Sequence, residues 1–108
     1  MRFFGLKSCD TCRKAQKALR AAGHDPQVID VRADGIDPAD LQAILEAFGD
    51  KAVNTRSTTW RGLTEAERQR PTADLLTKHP TLLKRPVIEV DGQWHQGWTK
   101  PVQKALLG

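Results

Sequence analysis

A chain of 108 residues, with 17 lysines and arginines against 13 aspartates and glutamates and hence a net charge of +4, is sized for one domain. It is long enough to bury a core without disulfide or metal staples. The basic residues form no dense run and no nucleic-acid-binding motif, so the charge suits a small anionic substrate better than a duplex. No stretch is apolar enough to span a bilayer, and Met1 to Lys7 has too little apolar content for a signal peptide. A cytoplasmic home is expected, where paired cysteines are usually catalytic or sensing.

In chain order, Arg2 to Gly5 reads as a short strand, with Gly5 starting the turn that follows. Ser8-Cys9-Asp10-Thr11-Cys12 comes next. A helix beginning near Asp10 puts Cys12, Ala15, Leu19 and Ala22 on one face and Arg13, Lys17 and Arg20 on the other, and Gly23 closes it. Val28 to Val31 reads as a second strand, parallel to the first because a helix joins them. Asp37-Pro38 starts a helix whose buried stripe is Leu41, Ile44, Leu45 and Phe48. Strand, helix, strand, helix is the opening of an α/β unit.

The middle of the chain is less regular. Asn54 to Gly62 packs hydroxyls, two arginines and a tryptophan into what reads as a loop, a composition suited to binding or to covering a site. Thr64 and Glu67 form a capping box for a short helix stopped by Pro71, and another helix runs from Thr72 to His79-Pro80. With few apolar positions, these helices are expected to be less tightly anchored than the sheet. Lys84-Arg85-Pro86 then leads into Val87 to Val90, and Asp91-Gly92 before Gln93 to Gln96 is a hairpin signal. Pro86 is the kind of residue whose peptide bond can be cis. A last helix begins near Thr99 and carries Val102, Ala105 and Leu106.

Two cysteines three positions apart, where strand gives way to helix, point to redox chemistry. Over the first turn of a helix, unpaired N–H groups and the macrodipole favour an anion. Lys7, Arg13 and Lys14 add positive charge, and such surroundings lower a thiol pKa from ~8.5 to ~3.5–7.5. Cys9 is therefore expected to be partly or largely thiolate at neutral pH, while Cys12, one helical turn on, is placed to resolve a mixed disulfide. A structural zinc site is not expected, because there is no third cysteine and His24, His79 and His95 are scattered. A disulfide kept only for stability closes too small a loop to be worth much.

Three separated stretches, Phe4-Gly5-Leu6-Lys7-Ser8-Cys9-Asp10-Thr11, Asn54 to Arg61, and Arg85-Pro86 before the hairpin, resemble the thioredoxin-fold family of arsenate reductases and Spx-type regulators (ArsC/Spx). Its YffB branch is the one they resemble most. The resemblance implies an α/β fold with a thioredoxin-like mixed sheet: β-α-β, an all-helical insertion at about 36–83, a β-hairpin and a final helix, in one domain over 1–108. It implies that Cys9 is the nucleophile, that Arg85 and Pro86 are the arginine and the cis-proline of the family, and that Arg56 is the insertion arginine. Cys12 falls at a position that is cysteine in Spx-type members. Gly97-Trp98 stands where arsenate reductases carry a third arginine, which weighs against arsenate itself as substrate.

Substrate or anion contacts are accordingly expected from Lys7, Arg13, Arg56, Arg61, Arg85 and Pro86. A guanidinium pair of Arg56 and Arg85 would lower the Cys9 pKa and hold a carboxylate or oxyanion by bidentate contacts. A cis Pro86 would offer neighbouring backbone groups to a peptide-like thiol. The implied activity is a glutathione-dependent thiol reductase, with glutathione as co-substrate, no bound cofactor and no metal, acting as a monomer. Two alternatives stand beside it: an Spx-like redox-sensing regulator binding RNA polymerase, and arsenate reduction proper with glutathione and glutaredoxin.

Overall fold

Four strands form a single sheet in the order β2-β1-β3-β4, with β1 at Arg2–Gly5, β2 at Gln27–Asp30, β3 at Val87–Val90 and β4 at Gln93–Gln96. β2 lies parallel to β1, as a helical crossover requires, while β3 is antiparallel to β1 and β4 antiparallel to β3. The expected mixed sheet is present. The computed structural model describes residues 1–108, and the chain divides into two compact units. One holds the sheet, from Met1–Asp30 and Arg85–Gly108; the other is Val31–Lys84.

In the sheet unit, side chains alternate between faces. Phe3 pairs in register with Ile88, and both are packed against Cys12, Ala15 and Leu19 of helix α1 (Asp10–Ala21) and Leu106 of the C-terminal helix (Lys100–Leu107). Phe4 pairs with Val87, and both are fully buried. Arg2 lies 5.6 Å from the ring centroids of both Phe4 and Trp94 on that second face, and its Nε donates to Glu89 at 3.4 Å. α1 ends at Ala22, which is its exposed C-cap rather than part of the buried face expected of it. Gly23 follows with φ +93°, its N–H donating to the Arg20 carbonyl while the His24 N–H donates to that of Leu19, the paired bonds of a Schellman stop. Asp91 and Gly92 both take positive φ, 50° and 80°, as a two-residue hairpin turn demands.

The unit Val31–Lys84 is built from α2 (Val31–Asp34), α3 (Pro38–Phe48), α4 (Thr58–Arg61), α5 (Glu65–Arg68) and α6 (Thr72–Lys78), with 3-10 turns at Gly49–Ala52 and Pro80–Leu82. Three readings of the sequence change here. Val31, expected to end β2, begins α2, because β1 offers no partner beyond Gly5, which already pairs with Asp30. The segment read as a loop contains α4, started by the Ser57 hydroxyl accepting the Trp60 N–H at 3.1 Å; the cap outweighs the poor helix propensity of Thr58 and Thr59. The unit is also richer in buried apolar side chains than its helical periodicity suggested. Ile44, Leu76, Leu82 and Leu83 are fully buried and Val53 nearly so, three of these five coming from turns and bridges outside the α-helices. α7, the C-terminal helix Lys100–Leu107 of the sheet unit, starts at Thr99 as expected and buries Leu106 but leaves Ala105 exposed.

Candidate active site

The loop between β1 and α1 sets Cys9 at the helix mouth. The Cys9 N–H donates to the Leu6 carbonyl at 3.2 Å and the Cys9 carbonyl accepts from Arg13 at 3.0 Å, which makes Cys9 the N-cap residue of α1 with extended φ −89° and ψ 117°. Its neutral side chain closes no capping hydrogen bond, as expected of a weak acceptor; the ionised sulfur is another matter. Partial burial pushes the Cys9 thiol up, but the Cys12 backbone N–H, the Cys12 side chain, and the Arg85 guanidinium through both hydrogen bond and charge outweigh it, leaving the group below the ordinary thiol value. An N–H at the third helical position is the donor that an N-cap anion would take.

Cys12 is 0% exposed and sits in the core cluster with Phe3, Ala15 and Leu19. Burial pushes its thiol up to about 12; the Leu6 N–H works against this, and the neighbouring Cys9 sulfur adds to it. Two thiols one turn apart thus diverge because one lies at the helix mouth and the other among hydrocarbon. Both are free.

Arg85 is half-buried and precedes Pro86, to which it is joined by a cis peptide bond. The Pro86 carbonyl accepts from the Gly97 N–H at 2.8 Å, extending the β3–β4 pairing one step past the strands. Trp98 follows, partly buried against the same cluster as Cys9, with its carbonyl accepting from Gln103 Nε2 at 3.0 Å. Cys9, Cys12, Arg85 and Pro86 therefore all belong to the sheet unit, and Arg85 acts on the Cys9 sulfur. Lys7 is exposed and contributes a backbone N–H to Asp30 at 3.1 Å. Arg13 is bonded to Asp10 on the exposed face of α1.

Arg56 and Arg61 belong to the helical unit. Arg56 is exposed beside a concavity of about 460 Å³ lined also by Val53, Asn54, Thr55 and Lys84, and its N–H donates to Asn54 Oδ1 at 3.0 Å. Arg61 is exposed in the last turn of α4, while the neighbouring Arg68 bonds the Trp60 carbonyl at 3.2 Å and lies 5.6 Å from the Trp60 ring centroid. No three His, Cys, Asp or Glu side chains gather in a way that could hold a metal ion. No helix is long and apolar enough to cross a membrane.

The packing role of one residue of this site went unread in the sequence. Gly5 ends β1 as expected, but it is also buried, with a Cβ there falling 2.8 Å from Cys12 Sγ and 2.9 Å from Phe3 Cε1. The available signal was a glycine inside a strand, which often marks a close approach rather than a turn.

The sheet with its cysteine at a helix mouth and an arginine before a cis-proline is that of a thioredoxin-like protein. The family model of the ArsC family matches residues 4–103, and the chain belongs to that family. It is 42% identical over 109 residues to an uncharacterised protein of Haemophilus influenzae, covering 96% of each chain. Among solved structures, the YffB protein is similar with a TM-score of 0.90 at 29% identity, over 99% of this chain and 98% of its own. An arsenate reductase (ArsC) related protein from Brucella melitensis gives 0.74 at 30% identity, over 96% and 91%. The arsenate reductase from Vibrio cholerae shares the fold, with a TM-score of 0.78 at 20% identity over 98% and 96%.

Proposed function

We propose that the chain is a thiol–disulfide reductase related to arsenate reductases, with Cys9 as nucleophile and glutathione as co-substrate. The observation that carries this reading is the set of donors converging on one partly exposed sulfur: the Cys12 amide, the Cys12 thiol and the Arg85 guanidinium. The Cys9 thiolate attacks one sulfur of a disulfide, forming a mixed disulfide and releasing the other sulfur as a thiolate that takes a proton from water. A glutathione thiolate from solvent then attacks the other sulfur of that adduct, the one belonging to the bound half, so that the new disulfide carries this half away and Cys9 leaves as the thiolate. Cys12 can instead attack from within, giving an internal disulfide. Its burial and raised pKa make it a poor thiolate, which favours glutathione from solvent as the releasing thiol.

The ArsC family membership and the likeness to the Brucella melitensis protein support the chemistry. Glutathione is favoured because it is anionic and peptide-like. In this reading Arg85 holds the negative sulfur, backbone beside Pro86 pairs with the peptide, and Lys7 and Arg13 supply charge for its carboxylates, with a monomer in a reducing cytoplasm as the working form. The test is reduction of a glutathione mixed disulfide by wild type and Cys9→Ser. Turnover should fall by about three orders of magnitude or more in the variant, and mass spectrometry after oxidised glutathione should place the adduct on Cys9. A wild-type Cys9 titrating at or above ~8.5, the free-thiol value, or full turnover in Cys9→Ser, would overturn it.

A further inference from the structure

We propose that Gly5 is a positioning residue: by presenting no side chain, it leaves the Cys12 sulfur the room in which its S–H points at Cys9 and steadies the Cys9 thiolate. The inference deepens the reductase reading, since it says what tunes the sulfur that reading depends on.

Gly5 lies in extended backbone at the end of β1 and pairs with Asp30. Its conformation does not demand glycine, because its φ is not among the positive ones. Space does. A Cβ at this position would stand 2.8 Å from Cys12 Sγ and 2.9 Å from Phe3 Cε1, closer than packed atoms approach, and a tight 3.3 Å from Cys12 Cβ. The sulfur is the end of a short side chain with staggered alternatives, so it, rather than the strand, is what an added methyl displaces.

The position of that sulfur matters for what lies on its other side. Cys12 is wholly buried in the cluster of Phe3, Ala15, Leu19 and Ile88, with Cys9 packed at the edge of the same cluster. Its thiol is kept protonated by that burial and is hydrogen-bonded to Cys9. A permanently protonated S–H beside a sulfur anion is a fixed donor; turned away from it, the same S–H does nothing for the charge. Strand β1 thereby reaches the reactive atom through a residue that never touches it.

Thiolate absorbance followed against pH separates the possibilities, because Cys12 ionises far above Cys9. Gly5→Ala should raise the Cys9 midpoint, so that the thiolate fraction at a fixed pH below it falls about fivefold, the worth of one hydrogen bond. Cys12→Ala, which keeps the backbone amide and removes only the S–H, should give a fall of the same size. Cys12→Ser, which keeps a donor, should fall less. The deciding variant is Gly5→Ala with Cys12→Ala, in which the added methyl meets no sulfur and should shift the midpoint no further. An unmoved midpoint in Gly5→Ala, or an equal shift by Gly5→Ala with and without the Cys12 sulfur, overturns the proposal. Because the methyl also presses on Phe3, Gly5→Ala with Phe3→Leu serves if the single variant does not fold, judged against Phe3→Leu alone by the same criterion. The titration needs no substrate, so loss of turnover with these shifts intact would count against the reductase reading and not against this one.

Discussion

The sheet unit and the helical unit reach order by different routes. In the sheet unit, long-range register does the work: Arg2, Phe3 and Phe4 each face a partner on β2 and another on β3, so one strand ties together segments from both ends of the chain. The helical unit relies on local closures. α3 is capped by Asp37, α4 by Ser57 and α5 by the reciprocal Thr64–Glu67 box, and helices this short are marginal by themselves. What completes them is apolar burial at places with no helical period, such as Val53 and Leu83, which pair as an isolated antiparallel bridge. The lesson is that a scarcity of periodic apolar positions does not mean a scarcity of core.

The sharpest way to break that comparison is to cut an equal hole in each region. Ile88→Ala in the sheet unit and Leu76→Ala in α6 should each cost about 2–5 kcal/mol in chemical denaturation, since both side chains are fully buried and such large-to-small changes in cores fall in that range. A cost below about 1 kcal/mol for Leu76→Ala would restore the view of that helix as loosely held.

Next in size is the charge on the sulfur. Arg85→Ala removes a hydrogen bond to an ionised group, worth ~1.5–3 kcal/mol, so the acidic limb of Cys9 alkylation should move to higher pH. The sign follows from the lowered pKa: the thiolate is present above it and is lost as pH falls through it, and without Arg85 that loss begins sooner. An unchanged limb would show that the helix mouth alone holds the anion.

The smallest effect expected is at the local closures. Thr64→Ala removes the hydroxyl that accepts the Glu67 N–H at 3.2 Å and should cost ~0.5–2 kcal/mol, with faster hydrogen exchange confined to α5. A change spread through the sheet would argue that the helical unit's caps are not merely local.

Much of this was legible beforehand. Hydrophobic alternation, the Asp91-Gly92 turn, the Asp37-Pro38 start and the Thr64–Glu67 box are short-range codes, and each specifies its own backbone. The Cys9-x-x-Cys12 spacing is of the same kind, whereas Arg85-Pro86 was picked out by its resemblance to the family's arginine and cis-proline. What escaped reading was set by neighbours distant in sequence. Val31 leaves the strand because β1, its partner from the start of the chain, has ended.

The amino-acid sequence by itself determined the elements, the cysteine at a helix start and the order in which strands and helices follow. Only the tertiary structure decided that burial pushes the Cys12 thiol up to about 12 and that a Cβ at position 5 would run into its sulfur. Ionisation and steric room depend on what is packed within a few ångströms, and in a folded chain those neighbours are supplied by residues the local pattern does not reach.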